Sequence, residues 1–195
     1  FSIKTGRYTR EVLFDYFASK NIGDPDIVYL DSERYPKVGQ VARKNGMVTV
    51  GYQRMANISY ITDVLNEEKK KFGIDSKFLN RKLNNRRDAG LGAMDFILAH
   101  SGLVKDTDVG VGIDESRIQV VYGCVDSAYY RPDPVRRESK LVVLFSGHDP
   151  LLKGLMYLLE AWKNVPYREL NAELWVAGDC TEEIKERYCH VSGVR

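Results

Sequence analysis

Cysteine is scarce in this chain: Cys124, Cys180 and Cys189 are the only three among 195 residues, an odd number at irregular spacing. That excludes a disulfide framework and suits a reducing compartment. Cys189 and His190 are adjacent, but no C-x-x-C partner accompanies them, so no metal site is expected. Net charge is nearly absent too. The 29 Lys and Arg against 27 Asp and Glu leave +2, too little by itself to imply nucleic acid, and none is expected as a partner. No uninterrupted apolar run approaches the roughly 18 residues of a membrane span, and no basic-then-apolar leader opens the chain, so the expected location is cytoplasmic. The pattern G-x-x-x-x-G-K-[ST] does not occur, and no G-x-G-x-x-G follows the first strand signal. A P-loop nucleotidase and a dinucleotide site are therefore without support. Internal repeats and low-complexity segments are missing as well.

What is present is an ordinary globular composition, 44% apolar and 29% charged, enough for one well-buried core or two smaller ones. Strand signals fall at Asp26–Leu30, Met47–Tyr52, Asp95–Ser101, Arg117–Gly123, Leu141–Gly147 and Ala172–Gly178. Helical stretches lie between them: Thr9–Lys20, Arg34–Asn45, and Ser59–Phe72, where Ile61, Val64, Leu65 and Phe72 share a face. Ser76 is placed to N-cap a fourth helix that carries Phe78, Leu79 and Leu83 inward. Strands alternating with helices, in near-continuous apolar runs, predict an α/β fold with parallel sheets covered on both faces. The segment "YYRPDPVRRESK", Tyr129–Lys140, has linker chemistry, and it divides the chain into domains 1–134 and 135–195. Beyond the linker only two strand signals remain, too few for an independent doubly wound sheet. A start at Phe1 and an end soon after a strand read as a fragment.

Within "SGHDPLLKGLMYLLEAWKNV", Ser146–Val165, a polar loop separates an apolar strand from a helix. Leu155, Leu158, Leu159 and Trp162 recur at helical spacing and form a core stripe. The loop either cradles a phosphate or only turns the chain, and a lone lysine in such a loop is most often simply solvated.

Four segments in order, "DFILAHSGLVKD", "GIDESRIQVVYGCVDSAYYRP", "KLVVLFSGHDPLLKGLMYLLEAWKNV" and "AELWVAGD", with "DVLNEEKKKFGI" upstream, resemble glycosyltransferase family 4 over about Asp26–Asp179. The resemblance implies a GT-B fold of two Rossmann-like domains, the second incomplete here. It also implies sugar transfer from a nucleotide diphosphate, usually UDP or GDP, to a glycan or lipid-linked acceptor, commonly with retention. No cofactor or metal is implied, because the nucleotide sugar is a substrate. Gly147, His148, Lys153 and Gly154 are the implied donor diphosphate site. Negative charge grows on the leaving diphosphate, so a cation there stabilises the transition state more than the ground state. A helix start with a glycine leaves room and backbone N–H groups for the phosphate.

Several positions depart from the family pattern. His148 stands where many members have Arg; histidine ordinarily titrates near pH 6.5, so the positive charge is weaker and pH-dependent. Cys124 is an added residue, read as small and buried at the domain crossing. Gly102 stands where an acidic or bulkier residue is common. On the acceptor side the implied positions are Arg54 and Asn57, with Asn57 falling where some members have an active-site histidine. No catalytic residue is assigned, because the family's E-x-F-G-x-x-x-x-E pair does not occur in this chain, and the fragment alone is expected to be inactive. Two competing readings are a non-catalytic α/β binding domain on the same scaffold and a GT-B epimerase. The basic run of Lys77, Arg81, Lys82, Arg86 and Arg87 reads first as a solvated face and second as peripheral contact with an anionic membrane.

Overall fold

The computed structural model describes residues 6–30, 34–76, 81–132, 140–178 and 181–195. They belong to two compact units, Phe1–Asp63 with Asn80–Cys124, and Val64–Leu79 with Val125–Arg195. The division expected at 134/135, and Phe78 and Leu79 of the expected fourth helix, lie outside the described residues. No described helix is long and apolar enough to cross a membrane.

In the first unit the order is α1 (Arg7–Lys20), β1 (Ile27–Leu30), α2 (Pro36–Lys44), β2 (Val48–Gln53), α3 (Ile58–Phe72), α4 (Arg81–Gly92), β3 (Phe96–Ala99), α5 (Gly102–Gly110) and β4 (Ile118–Val120). The C-terminal part of α3 belongs to the second unit. The four strands form one parallel sheet in the order β1-β2-β3-β4. Pro36 suits the first turn of α2, where its missing N–H has no partner to lose. The Ser101 hydroxyl accepts from Val104 N–H and starts α5, a helix that the glycine-flanked, weakly periodic "GLVKDTDVG" conceals in the sequence. Thr49 and Asp95 tie β2 to the start of β3: Thr49 N–H and hydroxyl both donate to Asp95 Oδ2 (2.9 and 2.8 Å), and Asp95 N–H donates back to Thr49 Oγ1 (2.8 Å). Burial pushes the Asp95 carboxyl up, but the Thr49 hydrogen bonds and the Arg43 and Arg117 guanidinium groups outweigh it and hold it below the ordinary range.

Among the described residues the sheet is covered on one face, not on two as its apolar strands predict. Each crossover steps to the next strand in the same direction, so the right-handed rule puts α2, α4 and α5 on the same side. Leu30, Ile97, Ala99 and Ile118 pack there with Val38 of α2, Leu91 of α4 and Val104 of α5. The alternate residues point the other way, with Ile27, Tyr29 and Phe96 at 61%, 57% and 51% exposure. Val64, expected on the inner face of α3, is also exposed, whereas Ile61 and Leu65 are buried.

In the second unit β5 (Leu141–Gly147) and β6 (Ala172–Gly178) run parallel as neighbours in a separate sheet, as the strand–helix–strand pattern predicts. Between and after them lie α6 (Leu155–Trp162) and α7 (Glu182–Tyr188). Thr181 caps α7, with Glu182 and Glu183 in the first turn and Lys185 and Arg187 in the last, the favourable sense for the helix dipole. Leu155, Leu159 and Trp162 of the expected stripe are buried, joined by Met156, while Leu158 is half-buried. Leu174, Ile184, Tyr188 and Ile74 complete this core.

The Tyr188 phenol is buried in this core and donates to Glu160 Oε1 (2.7 Å). Burial, then that hydrogen bond, then the Glu160 charge push its pKa up to about 12. The folded state therefore favours the neutral phenol. Its contribution is fully present below about pH 10, the ordinary tyrosine value, and is lost as pH rises through about 12. Ultraviolet titration of tyrosinate alongside thermal unfolding should show a last ionisation near pH 12 and a stability loss that starts near pH 10. Tyr188→Phe should remove both the last ionisation and its share of the loss.

Candidate functional site

The loop after β5 is built around a buried aspartate. Asp149 is 5% exposed and adopts a left-handed conformation (φ 59°), which aspartate tolerates better than most side chains. Its carbonyl accepts from Lys153 N–H (3.0 Å), its Oδ1 from Leu152 N–H (3.2 Å), and its Oδ2 from the Ser76 hydroxyl (2.7 Å). Ser76 thus donates to this loop, and the helix start it is expected to cap lies outside the described residues. Pro150 carbonyl accepts from Leu155 N–H (2.9 Å), which closes the loop onto α6. Asp149, Pro150 and Leu151 are buried, so the loop is anchored by its middle and presents His148 and Lys153 to solvent.

Glycines clear the floor of this site. Gly147 and Gly178 end β5 and β6 in register. Gly178 has φ 142°, and a Cβ there would lie 1.9 Å from Gly147 O. A Cβ on Gly147 would lie 3.2 Å from Lys153 Cγ, so the lysine stem rests on that glycine. Gly154 adopts φ 72° as it opens α6, and no side chain caps that helix. Among the described residues no carboxylate pairs with the Lys153 ammonium. The result is exposed backbone at the carboxyl ends of two parallel strands, where open α/β sheets bind ligands, with a cation held beside it. Gly147, Lys153 and Gly154 lie together on this loop, and His148 follows directly on Gly147.

In the first unit the structure separates the two acceptor-side positions. Arg54 is exposed. Asn57 is fully buried and serves as a helix cap: its Oδ1 accepts from Ser59 N–H (3.0 Å), its Nδ2 donates to Asp108 Oδ1 (3.1 Å), and its N–H donates to Thr107 Oγ1 (2.9 Å). It joins α3 to α5 and is enclosed between them, unlike the exposed Arg54. Cys124, expected to be buried, is exposed, because the chain leaves the sheet after β4 and runs over the surface.

Sequence reasoning missed a triplet at the carboxyl ends of β2, β3 and β4. Tyr52 OH lies 2.5 Å from His100 Nδ1, the two rings meet edge-on, and a Cβ on Gly123 would lie 2.3 Å from His100 Cε1. The available signal was a polar His100 directly after the apolar run "FILA". The basic run also changes meaning. Residues 77–80 lie outside the described set, Lys82 is exposed, Arg86 pairs with Asp15 at 2.5 Å, and Arg87 is buried. Its described cations do not share one solvated face.

No protein-family model and no curated protein matches the chain. Solved structures do. Anabaena Alr3699/HepE in complex with UDP and glucose is similar over 97% of this chain and 52% of its own, with TM-score 0.63 and 14% identity. The apo form of the lipopolysaccharide outer core galactosyltransferase WaaB is similar over 100% of this chain and 49% of its own (TM-score 0.52, 16% identity). A Listeria monocytogenes protein assigned as a UDP-N-acetylglucosamine 2-epimerase is similar over 99% and 53% (TM-score 0.58, 13% identity). The chain spans about half the length of each of these structures. The shared feature is the fold: α/β, parallel-stranded and Rossmann-like, of the GT-B type.

Two substitutions test how the loop is held. Asp149→Ala removes the acceptor for Leu152 N–H and the partner of Ser76, and should lower stability by roughly 1–3 kcal/mol in denaturant titration. Gly178→Ala forces a side chain onto the Gly147 backbone and should cost roughly 2–3 kcal/mol. An unchanged midpoint in either variant would contradict the anchoring described.

Proposed function

We propose that this chain is part of a family 4-type glycosyltransferase that takes a UDP- or GDP-activated sugar and transfers it, with retention, to a glycan or lipid-linked acceptor. The observation that carries the reading is the Lys153 ammonium, whose stem rests on Gly147 beside the glycine-paired ends of β5 and β6. In this reading Lys153 faces the donor diphosphate and His148 adds a second, weaker positive contact. Gly147 and Gly154 give the phosphates access to backbone. The charge that Lys153 meets grows as the bond to the sugar breaks, so the contact strengthens toward the transition state. The likeness to a structure with UDP and glucose bound, and to a named galactosyltransferase, supports this choice of substrate class. The nucleotide sugar is the substrate, and the reading calls for no cofactor or metal. A lipid-linked acceptor would bring the protein to the cytoplasmic face of a membrane as a peripheral visitor.

A second reading, nucleotide-sugar epimerisation, is favoured by the likeness to the Listeria protein. Both readings place a nucleoside diphosphate on the same loop, and product analysis separates them: a transferase needs an acceptor to consume the donor, whereas an epimerase interconverts it alone.

Calorimetric titration with UDP and GDP at pH 6 and pH 8 tests the diphosphate site. Lys153→Ala should weaken binding at both pH values. In the complete enzyme it should lower kcat/KM by about 2–4 kcal/mol of transition-state stabilisation, roughly thirty- to a thousandfold. Thermal stability should stay near that of the wild type, because an exposed loop lysine contributes little to folding. His148→Arg should preserve or raise affinity at pH 8. Equal affinities across all three proteins would mean that the loop only turns the chain and that a non-catalytic binding domain is the better reading.

A further inference from the structure

A cavity of about 710 Å³ lies in the first unit, where α1, α2 and α4 meet. Its size is that of a small-molecule site. Its lining includes Tyr8, Asp15, Tyr16, Lys37, Lys82 and Arg86. The one carboxylate in the lining is already consumed: Asp15 Oδ2 accepts from Lys37 N–H (3.0 Å) and its Oδ1 from Val38 N–H (2.9 Å), so it caps α2. Arg86 Nη2 also donates to Asp15 Oδ2 (2.5 Å). Asp15 and Arg86 therefore cancel in charge. Lys37 and Lys82 do not, since among the described residues neither ammonium pairs with a carboxylate. The Lys37 ammonium stands 4.3 Å from the centre of the Tyr16 ring, a cation–π contact that holds it at the cavity without neutralising it. Arg86 Nε is buried with no hydrogen-bond partner.

We propose that this cavity binds a phosphomonoester. A phosphomonoester carries about −1.5 to −2 charges at neutral pH, which matches the two uncompensated lysines, whereas a carboxylate or a phosphodiester supplies only about one. Its oxygens accept charge-assisted hydrogen bonds from ammonium groups, and the Tyr8 and Tyr16 rings supply apolar wall for the organic part. The phosphomonoester is either that of a soluble metabolite or the headgroup of an anionic lipid.

The test uses the 195-residue chain. Glycerol 3-phosphate is titrated calorimetrically, with dimethyl phosphate as the singly charged control, and co-sedimentation is measured with phosphatidylcholine vesicles with and without phosphatidic acid. Glycerol 3-phosphate should bind at least about tenfold more tightly than dimethyl phosphate, and the Lys37→Ala/Lys82→Ala double variant should lose that affinity by about tenfold or more. The double variant's thermal unfolding should match the wild type. Lys153→Ala should bind glycerol 3-phosphate unchanged, which separates this cavity from the proposed nucleotide site. Binding to glycerol 3-phosphate assigns a soluble source, and co-sedimentation with phosphatidic acid alone assigns a lipid headgroup. Absence of both, or a double variant that binds like the wild type, overturns the proposal.

Discussion

Each strand of the four-stranded sheet reaches the next through a helix-bearing crossover, and the right-handed twist of a strand permits that crossover in only one hand. Because the strands lie in the order of the sequence, that single constraint sends α2, α4 and α5 to one face and all of the carboxyl ends to one edge. The same rule acts on β5, α6 and β6 in the second unit. Polar side chains in both units therefore gather at strand termini: Lys153 beside the paired glycines in one, Tyr52 and His100 in the other. The bare apolar face with Ile27, Tyr29 and Phe96 is the other consequence of the constraint.

Buried aspartates do the local positioning. Asp15 and Asp149 are almost fully enclosed, and each satisfies backbone N–H groups at the point where chain direction changes. A carboxylate in that role holds two or three donors at once, and losing it would leave all of them unpaired in a low-dielectric setting. Asp15 also fixes Arg86, so a cation that reads as surface charge becomes part of the packing between α1, α2 and α4. Asp149 fixes the loop that carries Lys153 while leaving the lysine itself in solvent. In both places a buried anion sets geometry and exposed cations are left over for a ligand.

Those leftover cations give a chain of net charge +2 two distinct positive sites. Overall charge is a poor guide to binding because it averages over the surface, whereas a ligand meets only the few groups within about one Debye length, roughly 8–10 Å. The Lys153 loop offers one ammonium over exposed backbone, the arrangement on which the proposed diphosphate site rests. The cavity with Lys37 and Lys82 offers two ammonium groups with aromatic walls.

The sequence alone determined the α/β class, five of the six strands to within a residue or two, the parallel β5–β6 pair, and the loop bearing Gly147, Lys153 and Gly154. These are local properties: apolar periodicity, glycine placement and strand–loop–helix order all act over a few residues. It also misplaced what depends on distant neighbours. Asn57 looks like an acceptor-side polar group until its partners on α5 are known, Arg87 looks solvated until its burial is known, Cys124 looks small enough to bury, and α5 hides in a glycine-flanked segment that only its Ser101 cap and its packing make helical. His100 and Tyr52 meet across 48 residues, and Asp15 reaches Lys37 and Arg86 on two different helices. Such contacts are decided by strand order and crossover hand, which no window of sequence contains, and so the tertiary structure alone determined which polar residues became caps, which became packing, and which remained available to a ligand.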